Sequence, residues 1–167
     1  MGILKEGIVK MKVKFVVDED FVNYYRPSIF IGFPHCDFKC DRENGNKICQ
    51  NSALAKEPNI EVSADDLIDK FIVNPISKAI VFGGLEPFDD YEDMMELIRK
   101  FRIYTDADIV IYTGYTEKEL ADKIPEVTQY HNIVIKFGRF IPNQPSRKDK
   151  VLGITLASNT QYAKRYD

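Results

Sequence analysis

The sequence has no block of basic residues: its 23 lysines and arginines are interspersed with 26 acids, for a formal net charge of −3. A nucleic-acid interface leaves a clustered basic footprint, so this balance argues against DNA or RNA as a partner. Nor does any apolar run approach the roughly 20 residues that a membrane-spanning helix requires. The first residues, Met1 to Glu6, lack the apolar stretch of a secretory signal. No membrane association and a cytoplasmic location are therefore expected. No internal repeat, low-complexity tract or linker interrupts the 167 residues, a length that suits one domain over 1–167 better than two. Cysteine is scarce, with only three residues, an odd number that does not suit a closed disulfide framework.

What is present reads as an ordinary folded chain, 44% hydrophobic and 29% charged. From Val9 to Phe15 apolar residues alternate with Lys10, Lys12 and Lys14, which predicts a half-buried strand with a wet lysine face. Ser28 to Phe33 is nearly all apolar and reads as a buried strand. Ser63, followed by Asp65 and Asp66, predicts a capped helix start, with Leu67, Ile68, Phe71 and Ile72 as its apolar stripe, ending near Asn74-Pro75. Lys78 to Phe82 predicts a strand running into Gly83-Gly84, then a helix from about Asp89 to Phe101 with Met94, Leu97, Ile98 and Phe101 inward.

The alternation continues. Asp108 to Thr113 is strand-like, Thr116 caps a predicted helix through about Lys123, and Asn132 to Phe137 is again strand-like. Pro142 to Lys150 reads as loop, before a last strand at Val151 to Leu156. Strands that alternate with helices predict an α/β fold with a mainly parallel sheet and ligands at the carboxyl ends of the strands. A closed eight-stranded barrel takes about 250 residues, so the expectation is a partial, open βα barrel. The loop that begins at Cys36, Gly83-Gly84, Tyr112-Thr113-Gly114 and Gly138-Arg139 all fall at predicted strand ends.

All three cysteines, Cys36, Cys40 and Cys49, lie within fourteen residues. That crowding suits a local metal site. Three thiolates on one loop can bind three irons of a [4Fe–4S] cluster and leave the fourth iron without a protein ligand. Zinc is the alternative, with His35 as fourth ligand, but adjacent side chains on extended chain point to opposite faces, which disfavours His35 and Cys36 on one ion. The flanking Asp37, Lys39, Asp41, Arg42 and Glu43 are too polar for a core, and His35 reads as structural or solvent-exposed. Asn44-Gly45-Asn46 is a turn signal able to bring Cys49 back toward the other two.

With these residues in view, the chain resembles the radical S-adenosylmethionine (SAM) superfamily and, within it, the activating proteins of anaerobic ribonucleotide reductases. The superfamily loop has three residues between its first two cysteines, as here, and two between the second and third, where this chain has eight. Phe82-Gly83-Gly84-Leu85-Glu86-Pro87 is similar to the superfamily's glycine-rich motif, with Leu85 as an extra residue. Ile111-Tyr112-Thr113-Gly114-Tyr115 is similar to a strand-end segment of the activases. Phe137-Gly138-Arg139-Phe140 and Ala157-Ser158-Asn159-Thr160-Gln161 resemble two later activase segments, with Phe137 in place of the usual acid and Thr160 inserted.

The resemblance implies that Cys36, Cys40 and Cys49 hold a [4Fe–4S] cluster and that SAM binds its open iron. Ile48 would pack on the adenine, Gly83, Gly84 and Glu86 would receive the methionine amino group, and Tyr112, Thr113 and Gly114 would lie near the SAM. It further implies a flavodoxin or ferredoxin electron donor and, as partner, a large glycyl radical enzyme, the anaerobic reductase, on which a glycyl radical is made. Other radical SAM chemistry, on a different glycyl radical enzyme or a small heterocycle, and a non-catalytic iron–sulfur or zinc protein remain the alternatives.

Overall fold

The computed structural model describes residues 10–35 and 52–167. In chain order these form β1 (Lys10–Val13), β2 (Phe15–Asp20), β3 (Ser28–Phe33), α1 (Ser52–Ala55), β4 (Ile60–Ser63), α2 (Ala64–Val73), β5 (Ala79–Gly84), a 3-10 turn (Pro87–Asp90), α3 (Tyr91–Tyr104), β6 (Ile109–Tyr112), α4 (Ile124–Thr128), β7 (Ile133–Phe137), β8 (Arg147–Asp149), β9 (Ile154–Leu156) and β10 (Tyr162–Tyr166).

Six strands make the central sheet in the order β10-β7-β6-β5-β3-β2. The inner four are parallel, and β2 and β10 are antiparallel edges. The fold is therefore mixed α/β with a mainly parallel sheet, and among the described residues that sheet is open, with β2 and β10 unjoined. Because β3, β5, β6 and β7 are neighbours in the order in which the chain makes them, the crossover helices collect on one face.

Period-two alternation sorts the strand residues between the two faces. Ile29, Ile31, Ile80, Phe82, Ile109, Ile111, Ile133 and Ile135 pack with Leu67 and Phe71 of α2 and with Leu97, Ile98 and Phe101 of α3. Each such fully buried side chain contributes about 1.5–3 kcal/mol of transfer free energy. The opposite face carries smaller residues, Ala79, Val81, Val110 and Val134, covered by Tyr24 and by Leu152 and Leu156 near the β8–β9 hairpin. Small side chains on this second face leave room above the sheet.

Helix α2 starts as its sequence demands: the Ser63 hydroxyl accepts from the Asp66 N–H at 3.0 Å. Asn74 closes it, its N–H donating to the Phe71 carbonyl. Ile72, expected inward, is exposed; it lies at the margin of the stripe that faces α3. The strand expected from Val9 to Phe15 is broken at Lys14, so that β1 pairs with β4 while β2 joins the central sheet.

Thr116 does make its cap, with Glu119 N–H donating to its hydroxyl and its own N–H to the Glu119 carboxylate. The residues that follow form hydrogen-bonded turns, however, and the helix proper is the short α4, where Pro125 occupies an N-terminal position that needs no N–H donor. The stretch expected as loop, Pro142 to Lys150, contributes β8, and the last expected strand starts later, at Ile154.

Candidate cofactor site at the strand ends

Register brings the site together. Gly32 of β3 lies opposite Gly83 of β5, the pairing of Phe82 with Ile111 sets Gly83 beside Tyr112 of β6, and Tyr112 pairs with Lys136 of β7. These four residues form one row across the parallel strands near their carboxyl ends, on the face away from the helices. Above the row lies a cavity of about 620 Å³, within the size range of small-molecule sites.

Of the residues expected near a ligand, Gly83, Gly84, Glu86, Tyr112, Thr113 and Gly114 all line this cavity. Its apolar wall is supplied by Phe15, Val17, Phe30, Ile154 and Leu156. The Phe15 and Phe30 rings, 5.2 Å apart, fill the spaces that side chains at Gly32 and Gly83 would need. Gly84 has φ +79°, and a Cβ there would stand 2.8 Å from the Gly32 Cα, so the close approach of β5 to β3 depends on glycine.

Glu86 is 3% exposed and joins two loops. One carboxylate oxygen accepts from the Gly114 N–H at 2.8 Å. The other accepts from the Thr113 hydroxyl at 2.8 Å and from the Phe88 N–H at 3.2 Å. Thr113 Oγ1 in turn accepts from the Tyr115 N–H. The carboxylate thus fixes the loop after β6 against the loop after β5, and its negative charge stands at the polar end of the cavity.

Tyr112 donates its hydroxyl to the Asn23 carbonyl at 2.6 Å. Burial, together with the charges of Asp20 and Asp149, raises its pKa well above the ordinary tyrosine value, which keeps it a neutral donor. The β7 end is held by Gly138, whose N–H donates to the Tyr115 carbonyl at 3.0 Å, and by Arg139, which makes two 2.7 Å bonds to Glu119.

Cys36, Cys40, Cys49 and Ile48 lie outside the described residues. The strand that leads to Cys36 is described, and it is clamped. The His35 carbonyl accepts from the Glu86 N–H at 2.7 Å, and its ring Nδ1 is 2.6 Å from Asp90 Oδ1. The His35 side chain is largely exposed, in keeping with the structural or exposed role expected of it. Glu86 therefore anchors the backbone next to the first cysteine as well as the Thr113-Gly114 loop.

Sequence reading missed Lys136, which is 6% exposed yet lines the cavity. Its ammonium donates to the Gly138 carbonyl at 3.1 Å and stands 5.6 Å from the centre of the Tyr112 ring. A lysine between Ile135 and Phe137 was itself a signal, because it interrupts an apolar strand on the face opposite those two residues.

A family model for the 4Fe-4S single cluster domain matches residues 25–161. The match takes in every cysteine and the four parallel strands of the central sheet, and the chain belongs to this family of cluster-binding domains. The family is found in radical SAM-type proteins. No curated protein and no solved structure matches the chain. No helix among the described residues is long and apolar enough to cross a membrane.

Proposed function

We propose that this protein is a radical SAM activase: it holds a [4Fe–4S] cluster on Cys36, Cys40 and Cys49, binds SAM in the strand-end cavity, and generates a glycyl radical on a large anaerobic ribonucleotide reductase. The observation that carries the reading is the convergence of Gly83, Gly84, Glu86, Tyr112, Thr113 and Gly114 on one cavity, directly beyond the strand that leads into the cysteines, in a chain of the 4Fe-4S single cluster family.

The residues fit such a ligand. Gly83 and Gly84 line the cavity without side chains, the Glu86 carboxylate and the Lys136 ammonium supply opposite charges for a zwitterionic amino-acid end, and Phe15, Phe30 and Ile154 supply apolar surface for the rest. When bound, cluster and SAM together supply one-electron cleavage of SAM to methionine and a 5′-deoxyadenosyl radical that abstracts hydrogen from glycine, the electron coming from flavodoxin or ferredoxin. The protein's share is to orient and shield. Glu86 does this by fixing the loops after β3, β5 and β6 to one another. Among the described residues the cavity has an open side, which a macromolecular substrate would cover.

The test is anaerobic incubation of the reconstituted, reduced protein with SAM, alone and with a candidate reductase. Release of 5′-deoxyadenosine and a glycyl-radical doublet in the electron paramagnetic resonance spectrum are expected. Release without the doublet would assign the protein to other radical SAM chemistry, and intact SAM would reject the proposal in favour of a non-catalytic iron–sulfur protein.

A further inference from the structure

Of the three lysines in the alternating N-terminal stretch, Lys10 and Lys12 are exposed on β1, as a wet face requires. Lys14 is half-buried, at the break where β1 leaves one sheet and β2 enters another. Its ammonium donates to the Ala55 carbonyl at 3.2 Å and also to the Glu57 carbonyl. Fixing so flexible a side chain costs rotamer entropy, and two acceptors offset that cost better than one.

Both carbonyls belong to the end of α1. The Lys56 and Glu57 N–H groups donate back to the carbonyls of Ala53 and Leu54, so the carbonyls of the last turn need partners from outside it, and a lysine ammonium is a suitable one. Within α1, Leu54 forms part of the wall of the strand-end cavity. The Lys14 main chain points the other way: its N–H donates to the Gly32 carbonyl of β3 at 2.7 Å. One residue therefore holds two arms, the strand that leads to Cys36 through its backbone and the segment that follows Cys49 through its side chain. In the sequence all three cysteines lie between those arms.

We propose that Lys14 is a positioning residue for cluster binding: it ties the exit arm at Ala55 and Glu57 to the entry arm at Gly32, closing the chain around the cysteines ahead of metal uptake. The inference rests on the reading of Cys36, Cys40 and Cys49 as cluster ligands. Its physical reason is loop closure. Bringing the ends of a loop together costs entropy that grows with loop length, and the eight residues between Cys40 and Cys49 lengthen this one. A contact that closes the loop in the apoprotein removes that cost from the metal-binding step. Lys14 acts through the backbone of α1, so its loss should loosen the exit arm and speed the loss of iron without dismantling the sheet.

The test compares wild type, Lys14→Met, Lys14→Arg and, as a control from the exposed face of β1, Lys12→Met. It measures amide hydrogen exchange of the apoprotein and the rate at which the anaerobically reconstituted protein gives up iron to a ferrous chelator. Loss of two hydrogen bonds predicts that in Lys14→Met the Lys56 and Glu57 amides exchange about three- to thirtyfold faster while those of β6 and β7 keep wild-type rates. Iron release should quicken by a similar factor. Lys14→Arg, which keeps a charged donor, should recover most of both, and Lys12→Met should match wild type. Exchange that rises equally throughout the sheet overturns the proposal, because Lys14 would then act on global stability. Unchanged iron release from Lys14→Met also overturns it and leaves the cluster reading standing. Failure of wild type to take up a cluster overturns both. Should Lys14→Met not fold, Lys14→Gln gives the same comparison, with circular dichroism as the folding control.

Discussion

Glu86 accepts a hydrogen bond from the buried Thr113 hydroxyl at 2.8 Å, and this contact, with the adjoining one from the Gly114 N–H, unites the two loops that carry most of the expected SAM contacts. Glu86→Ala would strand the Thr113 hydroxyl and the Gly114 and Phe88 N–H groups together. It should lower unfolding stability by about 2–4 kcal/mol in urea denaturation. Glu86→Gln, which keeps the shape but turns one acceptor into a donor, should lose about half of that and still weaken SAM binding. An unchanged denaturation midpoint for both variants would show that the link is not structural.

The two neighbouring glycines should behave differently. At Gly84 a Cβ meets backbone, 2.8 Å from the Gly32 Cα, at φ +79°. Gly84→Ala should therefore cost at least about 2 kcal/mol, more than the left-handed conformation alone. At Gly83 the obstacle is the tip of the Phe30 ring, 2.7 Å away, a side-chain end that borders the cavity and can shift into it. Gly83→Ala should cost less than about 1 kcal/mol, while narrowing the cavity and weakening ligand binding. Paired denaturation curves for the two variants check the order.

The Glu119–Arg139 pair gives a pH dependence with a definite sign. The Arg139 guanidinium beside it lowers the Glu119 pKa from 4.5 to about 2. The folded value lies below the unfolded one, so the pair's stabilisation is fully present above about 4.5 and is lost as pH falls toward about 2. Glu119 is 40% exposed, and solvent screening limits the effect to about 1 kcal/mol or less. The stability difference between wild type and Glu119→Gln should be constant from pH 7 to 5 and shrink below that. A difference that persists unchanged to pH 2.5 would contradict the assignment.

Much of the scaffold was legible because its signals are local. The apolar run Ser28 to Phe33 and the cap at Ser63 were recovered at the same residues. What escaped depends on distant partners. Tyr162–Tyr166 is a strand because it pairs antiparallel with Ile133–Phe137, and no local alternation in Tyr-Ala-Lys-Arg-Tyr announces it. Thr116 capped as expected, but no continuous helix followed before Pro125. For the site, Gly83, Gly84, Glu86, Tyr112, Thr113 and Gly114 were legible as motif residues, whereas Lys136 was not. Its place in the row with Gly83 and Tyr112 is set by register between strands, which local patterning does not reveal.

Three cysteine substitutions probe the cluster loop. If each thiolate is a ligand, Cys36→Ala, Cys40→Ala and Cys49→Ala should each retain less than about a third of the iron and sulfide that wild type takes up on anaerobic reconstitution. Full loading of Cys49→Ala would show that the residue beyond the Asn44-Gly45-Asn46 turn is not a ligand.

The central claim is an iron open to SAM beside the cavity, and the electron paramagnetic resonance spectrum of the reduced, reconstituted protein tests it most directly. The account predicts a [4Fe–4S] signal that changes on adding SAM and does not change in the same way with decarboxylated SAM. A reduced-cluster spectrum indifferent to saturating SAM would contradict it.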